Sequence, residues 1–313
     1  MSAAEATTVS AIRSPAVPRR APMILAGGVA AVSFAAIFVR LADEAPPLTE
    51  AAYRMLIGAS VLVGYSAIQL LRGRDVLPRK RGQWLLAGLV GVLLAGHFWS
   101  WFASLDRTSV GSSVVIVAMQ PLLAGLLGIA FLHESPTRNE YVGIGMATIG
   151  LIVIGGRDFI SGGRGELAGD GLALLGALLA SGYLVGGRRL RSEMSAAMCS
   201  SLSYSVAALV LWGLCGILRP QMAGFGSDTW SYLVLLALVP QVIGHTSLNW
   251  SLGHYRAVTV SLAIIGEPVI ATVLAIPILG EWPTAGVLIG GPLILLGIAV
   301  GLARPASMIG DLA

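Results

Sequence analysis

Long apolar runs, separated by short polar connections, occupy almost the whole of this chain. A helix that crosses the hydrocarbon core of a bilayer needs about 20 apolar residues, and ten runs approach that length. The predicted helices span 22–41, 49–71, 82–104, 109–132, 138–155, 168–187, 195–217, 229–252, 256–279 and 284–303. The longest connections are 72–81, 156–167 and 218–228, so little room remains for a soluble domain.

Composition supports an all-α polytopic membrane protein. Apolar residues make up 56% of the chain and charged residues 12%, whereas a soluble domain carries about twice that charged fraction. Cys199 and Cys215 fall in one apolar segment, which indicates neither a disulfide framework nor a metal site. The basic pI reflects arginines in connections, and we expect no nucleic-acid partner.

The basic residues predict the orientation, because cytoplasmic loops are enriched in lysine and arginine. With the N-terminus inside, fourteen of the twenty basic residues fall on the cytoplasmic side and five on the outer side, and Arg54 lies within a helix. We therefore expect a multi-pass protein of the plasma (inner) membrane with both termini cytoplasmic. Residues 1–21 have no apolar run and are predicted to be a disordered tail rather than a signal peptide.

The second half of the chain repeats the first. Residues 120–121 (Gln-Pro) and 132–137 correspond to 267–268 (Glu-Pro) and 279–284, each at an offset of 147. Downstream glycines correspond at the same offset. The duplication therefore extends through several consecutive helices.

Each repeat contains five predicted helices, and an odd number places the second copy in the membrane upside down. We predict two inverted five-helix repeats, 22–155 and 168–303, joined by a linker at 156–167 and flanked by cytoplasmic tails at 1–21 and 304–313. Proteins of this design are typically transporters that bind substrate near the membrane midplane, between the repeats.

Particular motifs resemble a known family. The stretches Pro121–Glu134 and Pro268–Glu281 are each followed by Pro-Thr and a glycine-rich helix, and Tyr53-Arg54-Met55 lies early in the second helix. Over about 22–303 the chain resembles the EamA-type branch of the drug/metabolite transporter superfamily. The resemblance implies a secondary transporter that exports amino acids or other small metabolites by alternating access.

An aromatic-rich interior, with Trp99, Trp101, Tyr183 and Trp250, favours an amino-acid exporter and in particular one for aromatic amino acids. The alternative is a multidrug or nucleotide-sugar carrier of the same superfamily. An intramembrane enzyme is disfavoured because no catalytic constellation is evident, and a channel because inverted repeats favour alternating access. The chain has no GxxxxGK nucleotide loop, and we predict no cofactor.

Glu267 is the only acidic residue deep inside a predicted helix, where a charge is costly. It binds a substrate ammonium or couples protons in one interpretation. In the other it is structural, and either pairs with Arg54 or His245 or belongs to a kink typical of the family that the chain resembles. Pro268 follows it and predicts a kink. Gln120 takes the equivalent place in the first repeat.

Two polar stripes run along otherwise apolar helices. Gln241, His245 and Asn249 are four residues apart on the eighth predicted helix, as are His97 and Trp101 on the third. A cavity lining is favoured for the two stripes together, although any single residue of them is also explained by interhelical hydrogen bonding.

Arg54 admits two interpretations. The favoured one has it snorkelling to the outer interface, and the other is a fork for a substrate carboxylate. Phe34, Tyr53 and Tyr183 are candidate aromatic walls. The predicted substrate-binding set is Arg54, His97, Trp101, Gln120, Tyr183, His245, Asn249 and Glu267, and the predicted hinges are Pro121, Pro240 and Pro268.

Other features are interpreted as structural. Glu134 and Glu281 precede helices expected to start at Pro136 and Pro283, where a carboxylate is stabilised by the helix dipole. GxxxG pairs on the last helix favour close packing inside one chain, and thus a monomer, over dimerisation. The expected partners are a small-molecule substrate and the lipid bilayer.

Overall fold

A computed structural model describes residues 17–105, 107–108, 113, 116–161, 166–280, 282–283 and 285–303. Secondary structure in these ranges is helical, with no strand. The helices are α1 (Ala21–Val32), α2 (Ala35–Leu41), α3 (Pro47–Leu71), α4 (Arg81–Leu105), α5 (Gln120–Leu132), α6 (Arg138–Ser161), α7 (Glu166–Arg191), α8 (Ala196–Leu218), α9 (Ser227–Ser251), α10 (Ala257–Ile264), α11 (Glu267–Leu279) and α12 (Ala285–Leu302).

The helices confirm a multi-pass membrane fold. Within the described ranges, eight spans are long and apolar enough to cross a bilayer, counting α1 with α2 and α10 with α11 as single spans. The shorter apolar helix α5 and the helix α6 complete the ten predicted segments. Helix α6 continues to Ser161 and α7 begins at Glu166, so helical backbone occupies part of the stretch 156–167.

Within the described residues four of the predicted helices are interrupted, and the fourth predicted helix has a turn at Ala118–Met119, just before α5. The first breaks between α1 and α2 at Ser33–Phe34, and the ninth breaks between α10 and α11 at Ile265–Gly266. In α9 the residues Ala237–His245 form a π-helix around Pro240. A proline inside a helix removes a backbone donor and clashes with the preceding turn, and π-helical turns are frequent at functional sites.

The packing of α6 against α12 shows that the repeats are inverted. A Cβ on Gly143 would lie 2.4 Å from the Gly297 carbonyl oxygen, and one on Gly290 would lie 2.3 Å from that of Gly150. Residue numbers therefore rise along α6 as they fall along α12, and the two helices are antiparallel. Because they are equivalent in the two repeats, copies with the same orientation would have placed them parallel.

These glycine contacts also locate the symmetry axis. Gly143 corresponds to Gly290 and Gly150 to Gly297 at the offset of 147, so exchanging the repeats converts each contact into the other. A pseudo-two-fold axis thus passes between α6 and α12, in the membrane plane. The glycines at 286, 290, 297 and 301 all meet atoms of this chain, as the interpretation of internal close packing predicted.

The remaining helix pairs obey the same exchange. Under this exchange α4 corresponds to α9, α7 to α1 and α8 to α3. Helix α4 packs on α7 and on α8, and its counterpart α9 packs in the same way on α1 and on α3. Helix α5 packs on α7, and its counterparts α10 and α11 pack on α1. Helices α3 and α8, which are counterparts of each other, pack together. Both repeats therefore contribute helices to the centre of the molecule, where the breaks in the helices also lie.

Candidate functional site

A cavity of about 170 Å³ lies between the two repeats. It is bordered by the ends of the broken helices α1/α2 and α10/α11, by the start of α5, and by residues of α3, α4, α7 and α9. Most of its wall is apolar. The polar and aromatic side chains that line it are Arg54, His97, Phe98, Trp101, Gln120, Tyr183, His245, Ser261 and Glu267.

Gln120 and Glu267 begin helices α5 and α11, and both line the cavity. The proline that follows each of them stands in the first turn of its helix, where a missing N–H costs nothing. A kink at Pro268 was expected, whereas the structure has a complete break: Gly266 N donates to Ala263 O at 3.1 Å, a tight turn that ends α10. The helix N-terminus favours a negative charge at Glu267.

The carboxylate of Glu267 has no direct partner in the described part of the chain. No hydrogen bond or ion pair joins it to Arg54 or to His245, although its charge interacts with that of Arg54 across the cavity. The interpretation of Glu267 as one half of a direct structural pair is therefore wrong. A carboxylate that borders a cavity with both oxygens available is suited to bind a cation or a hydrogen-bond donor.

Arg54 does not snorkel to the interface, which corrects the favoured prediction. Its side chain is 1% exposed and lines the cavity. Its Nε donates to Gln241 Oε1 at 2.8 Å, and the guanidinium lies 4.4 Å from the ring centre of Phe98. The hydrogen bond and the cation–π contact replace part of the lost hydration, which allows an arginine two turns inside α3 to point inward.

The two polar stripes are divided by depth. His97, Trp101 and His245 line the cavity, whereas Gln241 and Asn249 are buried behind it. The His97 ring is parallel to that of Trp101, with centres 6.1 Å apart, and its Nδ1 lies 3.0 Å from Gly176 O.

Asn249 was predicted to bind substrate, but it supports the wall of the cavity instead. It is 1% exposed, its Oδ1 accepts from the Tyr183 hydroxyl at 2.8 Å, and its Nδ2 donates to Ser200 Oγ at 2.9 Å. Since a buried amide requires partners, these bonds account for the residue fully. Tyr183, whose ring lines the cavity, is thereby held in place.

The aromatic residues separate into those of the cavity and those elsewhere. Of the proposed walls, Tyr183 lines the cavity. Tyr53 donates to Met222 O at 2.9 Å in a separate aromatic cluster, Phe34 stacks on Phe38, and Trp250 packs on the His254 ring. Trp99 is not among the lining residues.

Phe98 was not predicted from the sequence, although its ring centre lies 4.4 Å from the Arg54 guanidinium and 5.7 Å from the ring centre of His245. Its position beside His97 was the available signal: a residue adjacent to a polar stripe on an α-helix lies only about 100° round the axis from it.

Glu134 and Glu140 lie after the C-terminal end of α5, and both of them form hydrogen bonds or ion pairs there. Helix α6 starts at Arg138, and it is Glu140 that caps it, accepting from Thr137 N at 2.7 Å. Glu134 instead binds Arg188 at 2.9 Å, so its predicted role at a helix N-terminus is corrected. Glu281 lies outside the described residues. In the part of the chain that the structure describes, no cluster of ligands suited to a metal ion occurs.

The profile of the EamA-like transporter family matches residues 20–156 and again 167–302. The uncharacterized transporter YwfM of Bacillus subtilis is 26% identical over 270 residues, which cover 84% of this chain and 86% of the relative.

Two further matches extend the comparison. A probable terminal-alkyne amino-acid exporter of Streptantibioticus cattleyicolor is 25% identical over 196 residues, covering 60% of this chain and 62% of the relative. A solved crystal structure, 22% identical, superposes with a TM-score of 0.74 and covers 92% of this chain and 99% of its own. That likeness supports the fold.

Proposed function

The chain belongs to the EamA-like transporter family, a family of membrane transporters and not of enzymes, and from this premise we propose that it exports amino acids, in particular those with large or aromatic side chains. Transport proceeds by alternating access, in which the two inverted repeats exchange conformations around a fixed central site.

The observation that carries the proposal is a pair of opposite charges that face one cavity without touching. Glu267 offers a carboxylate with no protein partner, and Arg54 offers the terminal nitrogens of its guanidinium, for which the structure gives no hydrogen bond. A free amino acid carries the complementary ammonium and carboxylate on adjacent atoms. Bound between the two residues, it would neutralise both charges at once.

The apolar wall accounts for the side-chain preference. Phe98, Trp101 and Tyr183 border the same cavity as the charged pair. Aromatic faces provide a large contact area, and stacked or edge contacts with a substrate ring contribute about 0.5–1.5 kcal/mol beyond simple burial. An amino acid with a large apolar side chain therefore gains more from this site than alanine or glycine does.

A carrier of cationic drugs is the alternative, because one acid within an aromatic box suits a cation. The buried guanidinium of Arg54 opposes that alternative, since a cation without a carboxylate would leave a second positive charge in the cavity uncompensated. The amino-acid exporter of Streptantibioticus cattleyicolor, with its partial coverage, supports an amino-acid substrate.

For the cellular setting we propose the inner membrane with both termini in the cytoplasm. The proposal rests on the asymmetry of fourteen basic residues against five in the connections. In this orientation the connections 132–138 and 252–256 face the cytoplasm, so that an exported substrate enters the cavity past them.

Counterflow in proteoliposomes tests the proposed substrate. Labelled phenylalanine, phenethylamine and 3-phenylpropionate separate the contributions of the ammonium and the carboxylate. We expect phenylalanine to be transported well and each analogue at least about tenfold less well, since each leaves one buried charge unpaired. Glu267→Gln should abolish most phenylalanine transport, whereas Glu193→Gln, which changes a carboxylate on the surface, should not. If phenethylamine is transported efficiently and phenylalanine is not, the drug-carrier alternative replaces the proposal.

A further inference from the structure

Gln241 lies directly behind Arg54, on the side away from the cavity. It is fully buried in the π-helical part of α9, its Oε1 accepts from Arg54 Nε at 2.8 Å, and it does not line the cavity. The guanidinium also lies over the Phe98 ring, 4.4 Å from the ring centre. Arg54 is thus fixed through Nε, and its two terminal nitrogens have no bonded partner in the described structure.

The helix packing keeps space for this amide. A Cβ on Gly58, one turn after Arg54 on α3, would lie 2.9 Å from Gln241 Cγ. A glycine at that place lets α3 approach the π-helical turn closely, and a π-helix shifts the register of the side chains that follow it. The glycine and the irregular turn together place Gln241 against Nε.

We propose that Gln241 is a positioning residue, which orients Arg54 so that its terminal nitrogens bind the carboxylate of the substrate. This inference rests on the proposed function and deepens it. The planar guanidinium binds a carboxylate through two parallel hydrogen bonds, and that geometry requires the plane to be set in advance. With Nε anchored, the two terminal nitrogens remain for a carboxylate in the cavity that Arg54 lines.

Binding measurements on three probes test this role. Phenylalanine and 3-phenylpropionate carry the carboxylate, and phenethylamine does not. In Gln241→Leu, which keeps the volume and removes the acceptor, we expect the Kd of both carboxylate probes to rise about tenfold, as loss of a hydrogen bond to a charged group implies. The Kd of phenethylamine should stay within about twofold of the wild-type value.

Substitution of a glycine that packs on Gln241 tests the same role without changing a residue that lines the cavity. Gly58→Ala should displace the amide and weaken the carboxylate probes in the same selective way. The matched control on the same helix is Gly64→Ala, because a Cβ there meets nothing within 4 Å. Equal weakening of all three probes in Gln241→Leu and Gly58→Ala, or no weakening in either, would overturn the positioning role. Equal affinity of wild type and Arg54→Gln for 3-phenylpropionate would instead count against Arg54 as an anion site, whatever the substrate is.

A second, independent observation concerns a buried ion pair at the end of the molecule where α5 ends. Leu184, which lines the cavity, precedes Arg188 by one turn of α7. Leu248, which also lines the cavity, precedes Leu252 by one turn, and Leu252 directly follows the end of α9. Arg188 Nη2 and Nε donate to Glu134 Oε1 at 2.9 and 3.1 Å, and its Nη1 donates to Leu252 O at 2.9 Å. The ion pair therefore lies about one helical turn beyond the cavity lining, at the face where α5 ends.

A neighbouring ion pair makes the same connection. Arg256 Nη2 lies 2.5 Å from Glu140 Oε2, and its Nη1 donates to Ser135 O at 2.6 Å. Glu134, Ser135 and Glu140 belong to the first repeat, whereas both arginines belong to the second. Side chains of these two pairs are 2–14% exposed, so water screens them much less than surface pairs.

We infer that the pair Arg188–Glu134 is the gate that closes the cavity toward this face, and that Arg256–Glu140 reinforces it. Inverted repeats that exchange conformations must separate at one face whenever they close at the other. Contacts that join the two repeats at one face are those that must break when that face opens. A pair of charges is suited to this because water can solvate each partner once they separate.

A reporter of access that needs no substrate tests the gate. Ser261→Cys places a thiol on the cavity wall in a chain whose Cys199 and Cys215 are replaced by serine. In sealed vesicles, labelling of Arg189→Cys, on the exposed end of α7, identifies the vesicles in which this face of the protein is outward. We expect Glu134→Gln to raise the labelling rate of Ser261→Cys by an impermeant maleimide about tenfold.

A control variant and a charge exchange accompany the labelling of Glu134→Gln. Glu193→Gln removes the neighbouring exposed pair with Arg189, 3.7 Å apart, and should leave the labelling rate unchanged. The double exchange Glu134→Arg with Arg188→Glu restores opposite charges and should return the rate toward that of wild type. A rate in Glu134→Gln equal to wild type, or one that Glu193→Gln reproduces, would refute the gate. Labelling is independent of the substrate, so this result stands whether or not amino acids are transported.

Discussion

The contact of α6 with α12 allows a sharp test of the inverted repeat. A Cβ added at Gly143 would lie 2.4 Å from Gly297 O and 2.9 Å from the Gly301 backbone. Ordinary contacts begin at 3.4 Å, so the helices would have to separate by about 1 Å. Overpacking of this kind costs about 1–3 kcal/mol, and backbone atoms on two rigid helices have little freedom to relax.

Symmetry requires the equivalent position to behave alike. Gly290 is the counterpart of Gly143, and a Cβ there would lie 2.3 Å from Gly150 O. Gly290→Ala should therefore destabilise the protein by a similar amount. Gly145→Ala is the matched control on α6, because a Cβ at that position meets nothing within 4 Å. It should be neutral or stabilising by up to about 1 kcal/mol, since alanine favours the helix over glycine.

Thermal unfolding of the purified protein in detergent, followed by the fraction that remains monodisperse, provides the measurement. We expect Gly143→Ala and Gly290→Ala both to melt below wild type and Gly145→Ala to melt at or above it. A melting temperature of Gly143→Ala equal to that of Gly145→Ala would contradict the close approach of α6 and α12. A large loss at one glycine of the pair alone would contradict the two-fold relation.

Three further predictions follow from the same geometry. Trp101→Ala removes an aromatic wall and should weaken transport of phenylalanine several-fold more than that of alanine, as competition assays in proteoliposomes would reveal; equal losses would exclude Trp101 from selectivity. Asn249→Leu leaves the Tyr183 hydroxyl without its acceptor and should lower stability by about 1–3 kcal/mol, measured as a fall in melting temperature that Tyr183→Phe in the same chain partly reverses; no fall would contradict the bond. A cysteine placed in 72–81 should resist impermeant thiol reagents added outside intact cells, and its labelling would reverse the proposed orientation.

The fold was accessible to sequence reasoning because the constraints on it are local or repetitive. Apolar runs of bilayer length dictate helices, since every backbone N–H and C=O must be bonded within lipid. The offset of 147 between Gln120-Pro121 and Glu267-Pro268, with an odd number of helices in each copy, implied inversion without any coordinates. The structure shows a break before each of these motifs, whereas the sequence predicts only a kink at Pro268.

The candidate site was only partly accessible for a physical reason. Polar residues in apolar helices must avoid lipid, and this rule led to the residues His97, His245 and Glu267, which line the cavity. The rule does not distinguish a side chain that borders a cavity from one that is bonded behind it. Asn249 is bonded to Tyr183 and Ser200 and belongs to the second kind.

Arg54 shows most clearly what the sequence alone determined and what the tertiary structure decided. The sequence determined that an arginine occurs near the start of a membrane helix, where snorkelling to the interface is the default. Its inward direction depends on Gln241, 187 residues away, and on the ring of Phe98. Such partners are brought together only by packing of the two repeats, because burial of a guanidinium is tolerated only where distant groups replace its water.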